Sequence, residues 1–306
     1  IGLLGLALTY RNLKGRPIRD SWWRGLNWPS LIAIGVFCFT AMVGLNLPLE
    51  AGYGWTHPIV IALLIASPIL LILFVVVDAK QSRPLIPYRA LKNRVFTWSV
   101  ASGAVSMILV FSVIYLINFQ MQRINGFEKQ LTGFVLVTSP IALSTWGPLS
   151  GWVSDRFGAR LPRLLGICCS GAAVLWMGTL NAADGPWQVV ARLALFATGM
   201  GLFQTPNNKI TYDAIPQDVM AHVSSFNACI RMFCTALGTA SVTAVLGQSL
   251  RFYLDGDPPS VEALVATPAT EAAFQATFTS MIVAAALVFL FALMADRAAR
   301  MQGLAS

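Results

Sequence analysis

The 306 residues are 56% hydrophobic and only 11% charged, with a mean hydropathy of +0.67. One water-soluble core cannot absorb that much apolar surface, which excludes an ordinary globular domain. The net charge of +8 sits in short loops beside apolar runs instead of on one interleaved basic and aromatic surface, which argues against a nucleic-acid partner.

Apolar runs of about 20 residues recur along the chain, the length a helix needs to cross a hydrocarbon core. They lack the two-residue alternation of a barrel strand, so the fold class is an all-α polytopic membrane protein. Ile1 to Thr9 reads as the end of a truncated transmembrane helix. A basic cytoplasmic loop over 10–28 follows, with Arg11, Lys14, Arg16, Arg19 and Arg24, and with Trp22, Trp23 and Trp28 at the interface. A transmembrane hairpin occupies 29–77, as spans Pro29 to Leu49 and His57 to Val77, and a cytoplasmic linker covers 78–94. Six further spans are expected within 95–294: Val95 to Ile117, Leu131 to Val153, Leu164 to Leu180, Trp187 to Pro206, His222 to Leu250 and Phe274 to Met294. The segment from Arg251 to Ala273 is the longest connection and reads as an external loop, and 295–306 is the tail.

Lys and Arg in alternate connections orient the bundle. One set, including the tail, holds 16 and the other holds three, so the first set and the C-terminus are expected on the cytoplasmic side of the inner (plasma) membrane. Cys38, Cys168, Cys169, Cys229 and Cys234 all fall in apolar runs without metal-ligand or disulfide spacing, and read as packing residues.

The most informative stretch runs from Gly147 to Arg160, GPLSGWVSDRFGAR, out of one span and into the next. Gly147 and Gly151 lie on one helix face and allow another backbone to approach, while Gly158 permits a tight turn. Asp155 is placed to meet a helix N-terminus or a nearby arginine.

Gly151, Asp155, Arg156, Gly158 and Arg160 resemble the loop signature of the major facilitator superfamily in its second-half copy. In that family the loop helps to switch the protein between inward-facing and outward-facing states. Two later segments, Gly199 to Asn208 (GMGLFQTPNN) and Ser224 to Asn227 leading to Arg231 and Leu237 to Ala240, resemble the fourteen-helix drug/proton antiporter branch. In that branch an extra helix pair separates two six-helix halves, and the 29–77 hairpin is similar to it. The resemblance implies that 95–294 is the C-terminal six-helix half, that 1–9 ends the sixth helix, and that the N-terminal half belongs upstream.

Charges and amides within the spans are the candidate pathway or gate. Arg231 lies well inside its span and Asn227 shares its helix face; both are expected to line a cavity, or else to make structural hydrogen bonds. Gln204, Asn207 and Asn208 surround Pro206, where a helix end could present amides to a cavity. Arg192 is close enough to the external end of its span to snorkel. No carboxylate falls deep in a span, and His57 and His222 lie near span boundaries. A proton carrier is therefore expected in the upstream half, although a facilitator without ion coupling fits the same observation.

The resemblance implies an efflux transporter working by alternating access, with membrane lipid, a small amphipathic substrate and protons as partners. Phe111, Tyr115, Phe119 and Trp146 are aromatic candidates along the pathway, though each also suits simple packing. No cofactor or metal is expected, and no catalytic constellation points to an enzyme. A non-transporting remnant or membrane interaction subunit and a carrier of another solute class are the alternatives.

Overall fold

The computed structural model describes residues 27–50, 57–81, 84–254 and 267–302. The expected stub at 1–9, nearly all of the basic loop and most of the long connection lie outside them. Eleven α-helices occupy the described residues: α1 (Trp28–Glu50), α2 (Pro58–Ala79), α3 (Tyr88–Leu91), α4 (Arg94–Phe119), α5 (Lys129–Leu136), α6 (Thr138–Phe157), α7 (Arg160–Met177), α8 (Pro186–Asp213), α9 (Met220–Leu254), α10 (Pro268–Ser280) and α11 (Ile282–Met301). The protein is an all-α polytopic membrane protein. Five helical stretches are long and apolar enough to cross a bilayer: Trp28–Leu45, Pro58–Ala79, Arg94–Ile124, His222–Leu254 and Pro268–Met301.

Local chemistry sets the helix ends. His57 caps α2 by accepting from the Ile59 N–H, with Pro58 in the first turn where its missing donor costs nothing. Asn93 caps α4 by accepting from the Val95 N–H at 2.9 Å, and its amide also donates to the Ala214 carbonyl at 2.7 Å, tying the start of α4 to the end of α8. Beyond Phe119 the helix widens into a π-turn, Gln120–Ile124, which Gly126 closes at φ 68°.

Three expected spans differ from the helices found. The span over 131–153 is two helices meeting at Val137, because Pro140 has no N–H to offer the Leu136 carbonyl one turn back. The span over 274–294 is α10 and α11, which meet at Met281. Just before that junction Thr277, Thr279 and Ser280 turn their hydroxyls onto carbonyls three or four residues earlier, a bonding pattern that bends helices. The span expected to stop at Pro206 continues to Asp213, with Pro206 inside α8.

The core lies among α4, α7, α8, α9, α10 and α11, around residues such as Leu116, Val174, Phe196, Phe203, Leu246 and Phe278. Small residues let the helices meet backbone to backbone. A Cβ on Gly166 of α7 would stand 2.5 Å from the Gly199 carbonyl oxygen of α8, and one on Gly238 of α9 would stand 2.6 Å from the Ile108 oxygen of α4. Ser112 then donates to the Gly238 carbonyl at 2.8 Å, and Ser102 to Val288 at 3.1 Å, which fastens α4 to α9 and to α11. The hairpin α1–α2 packs on itself and touches the bundle through α1 and α9, where the Phe37 and Phe233 rings lie 5.1 Å apart. The five cysteines are free thiols.

Candidate functional site: the α6–α7 turn and the polar residues around it

α6 descends to the turn with its small residues against α8. Thr205 of α8 donates to the Gly147 carbonyl at 3.2 Å, a Cβ on Gly151 would touch the Thr205 methyl at 3.4 Å, and Ser150 donates to the Gly201 carbonyl at 3.1 Å. Gly201 in turn leaves room for Trp146, whose Cβ would stand 2.8 Å from an added one. Gly158 ends α6 at φ 85° and ψ 150°, a backbone region that residues with a Cβ rarely adopt, and α7 starts two residues later.

Charges bracket this turn. Asp155 accepts a hydrogen bond from Lys209 of α8, so its partner is a lysine and not the arginine or helix N-terminus expected from sequence. Arg156 lies over the Trp152 and Phe157 rings, 5.6 and 6.0 Å from their centroids, on the exposed face of the helix. Arg160 opens α7, half exposed, with its Nε 3.5 Å from Asp296 Oδ2 of α11.

Sequence reasoning missed the group beneath the turn. Arg163, one turn into α7, has no exposed surface. Its guanidinium donates to the Asp296 carboxylate, to the Ala292 carbonyl at 2.6 Å and to Asn207 Oδ1 at 3.4 Å. The Asn207 amide donates to the Ser99 carbonyl of α4 at 3.1 Å. One buried network thus joins α4, α7, α8 and α11. In the sequence Arg163 falls among the loop charges and Asp296 in the tail, one residue before the span that starts at Leu164 and two residues after the span that stops at Met294. The signal lay in the first turn of α7, which carries Arg160 and Arg163 and no acid, the wrong sign for a helix N-terminus.

The other pathway candidates have separate partners. Gln204 points its amide at the Met107 sulfur, 4.0 Å away, Asn208 is half-buried, and Asn227 donates to the Tyr212 hydroxyl at 3.3 Å. Arg231 is exposed on α9, and among the described residues no hydrogen bond or ion pair reaches its guanidinium. Phe111, Tyr115 and Phe119 are half-buried against the core of α4, with the last two rings 4.8 Å apart. Arg192 is buried, reaches Asp184 in the α7–α8 connection at 3.1 Å, and lies over Trp176. A cavity of about 330 Å³ lies beside the α1–α9 contact, walled by apolar side chains including Cys38, Phe39, Met42, Cys229, Met232 and Phe233.

Residues 51–239, from the hairpin through the turn to α9, match the family model of the Major Facilitator Superfamily. The chain belongs to that superfamily. The members of that superfamily are multi-pass membrane transporters. Among its relatives, the riboflavin transporter RibZ of Clostridioides difficile is 24% identical over 252 residues, 82% of this chain and 53% of RibZ. The multidrug transporter MdtP of Bacillus subtilis is 23% identical over 287 residues, 92% and 51%. The multidrug resistance protein Stp of Mycobacterium tuberculosis is 23% identical over 242 residues, 78% and 42%. The chain therefore spans about half or less of the length of these facilitators.

Proposed function

We propose that this chain supplies the extra hairpin and the C-terminal six-helix half of a fourteen-helix, proton-coupled transporter that exports drugs or other amphipathic molecules. The first six helices then lie upstream, and the tail and basic connections face the cytoplasm of the inner membrane. The observation that carries the reading is the α6–α7 turn. A glycine at positive φ separates two helix ends, each bearing charges that neighbouring helices neutralise, within the segment that matches the family model. Such a turn can change between two arrangements by exchanging ion-pair partners while the helices stay intact, which is what rocking of two bundles about a central site requires.

Export of drugs rests on the similarity to MdtP, a multidrug transporter, and to Stp, a multidrug resistance protein. Coupling to protons needs a titratable group that is exposed to each side in turn, and the upstream half is the proposed source. Arg231, Asn227, Gln204 and Asn208 remain the proposed contacts of the pathway, with Arg231 on a face of α9 that is open in this chain. RibZ favours a second reading, a carrier of a heteroaromatic vitamin-like solute.

The test is efflux from cells expressing the chain alone or joined to its upstream sequence, with an amphipathic dye or riboflavin and with or without an uncoupler. Uncoupler-sensitive dye efflux from the joined version alone supports the antiporter. Riboflavin movement without dye efflux selects the second reading, and equal activity from the short chain overturns the half-transporter assignment.

A further inference from the structure

Asp296 serves two arginines of the same helix. Arg160 and Arg163 stand three residues apart at the start of α7, on one face, and both reach the single carboxylate presented by α11. Their holds differ. Arg163 is fully buried and shares its protons among the carboxylate, the Ala292 carbonyl and Asn207, so nothing short of unpacking α7 from α11 frees it. Arg160 has 48% of its side chain exposed, approaches Asp296 Oδ2 only to 3.5 Å, and is two residues from the positive-φ Gly158. Water can replace that contact.

We propose that Asp296 is a positioning residue for the α6–α7 turn: one carboxylate on the last helix holds α7 permanently through Arg163 and releasably through Arg160. The permanent arm offsets the Arg163 charge at the helix end where cations are unfavourable, and keeps the first turn of α7 helical in either state of the turn. The releasable arm sets how far residues 158–160 can open. The terminal helix thereby enters the motion of a turn more than 130 residues before it in the chain. This inference rests on the reading of the turn as the transporter's switch.

The experiment uses the transporter at full length in lipid nanodiscs, with Cys38, Cys168, Cys169, Cys229 and Cys234 replaced by alanine and Ala159→Cys as a reporter beside the turn. The rate of labelling by a water-soluble maleimide is read together with the midpoint of thermal unfolding. Arg160→Gln is expected to raise the rate by roughly fivefold, the factor for losing one exposed ion pair, and to leave the midpoint in place. Asp296→Asn should raise the rate and lower the midpoint, Asp296→Glu should restore both, and adding Arg160→Gln to Asp296→Asn should raise the rate no further. Unchanged labelling in Arg160→Gln, or multiplying effects in the double variant, overturns the shared anchor. Expected labelling with unaltered transport by Arg160→Gln supports the anchor and overturns only the switching role proposed for the turn.

Discussion

Lys209, near the end of α8, donates to the Asp155 carboxylate in the last turn of α6, so an acid that opposes the dipole of its own helix is neutralised from another. Across the turn Arg160 and Arg163 are the mirror case, two cations at a helix N-terminus that share the one Asp296 carboxylate of α11. Both helix ends next to Gly158 therefore depend on partners outside themselves. A turn whose charges are satisfied only through tertiary contacts is sensitive to any movement of α8 or α11.

Asp155→Asn is expected to slow transport turnover in the full-length protein more than it weakens substrate binding. The Asp155 pair is exposed, and such pairs contribute no more than about 1 kcal/mol, so expression and unfolding temperature should stay close to wild type. Steady-state efflux and equilibrium substrate binding measured side by side decide it. Wild-type turnover in a normally expressed Asp155→Asn protein would remove Asp155 from the switch.

Gly158→Ala and Gly166→Ala should both destabilise, for different reasons. At φ 85° an added Cβ is strained whatever space surrounds it, a cost of about 1–2 kcal/mol. At Gly166 the Cβ would lie 2.5 Å from the Gly199 oxygen and 2.7 Å from the Phe203 nitrogen, both backbone atoms, and overpacking of that kind costs about 1–3 kcal/mol. Thermal unfolding in detergent is the measurement, and the α7–α8 crossing predicts that Gly166→Ala also disturbs labelling of a cysteine near Ser170.

Arg163→Ala leaves the Asp296 carboxylate without its buried hydrogen-bonding partner, and breaking such a pair from one side costs about 3–5 kcal/mol. Adding Asp296→Leu to an Arg163→Met background should recover part of the loss, since a pair replaced by apolar side chains leaves no stranded charge. Protein yield and unfolding temperature across the single and double variants check this. Equal losses in all three would show that the packing of Arg163, and not its charge, holds α7.

The sequence made the helices legible because lipid demands long apolar runs, and eight of those runs carry helices. It did not reveal where Pro140 and the Thr277 to Ser280 cluster would break two of them, because a hydropathy window averages over single proline and hydroxyl positions. Gly158 and Asp155 were readable from their motif, but Lys209 as the partner was not, since it lies 54 residues further on and positive-inside counting treats it as a loop charge. Arg163 and Asp296 were hidden by the same habit: ending a span at its first charge assigns a buried charge to water. Asn207 was singled out for its place beside Pro206, and the structure gives it a specific job, bridging Arg163 to the Ser99 carbonyl.

Arg231 is the test of the pathway itself. Its guanidinium is exposed on α9 within a helix long and apolar enough to span the membrane, with Asn227 one turn earlier turned toward Tyr212. A cation at such a position needs water or a partner, so the face of α9 that carries it should border an aqueous path or another polar surface in the full-length transporter. Arg231→Ala removes no side-chain hydrogen bond or ion pair among the described residues, and its stability should match wild type to within about 0.5 kcal/mol, the range of surface substitutions. Transport should nevertheless be lost, with Arg231→Lys recovering part of it if the charge is what the pathway needs. Dye efflux from cells, normalised to the inserted protein, separates the outcomes: full activity in Arg231→Ala would assign the residue to the surface of the bundle and move the search for the pathway to Gln204 and Asn208 on α8.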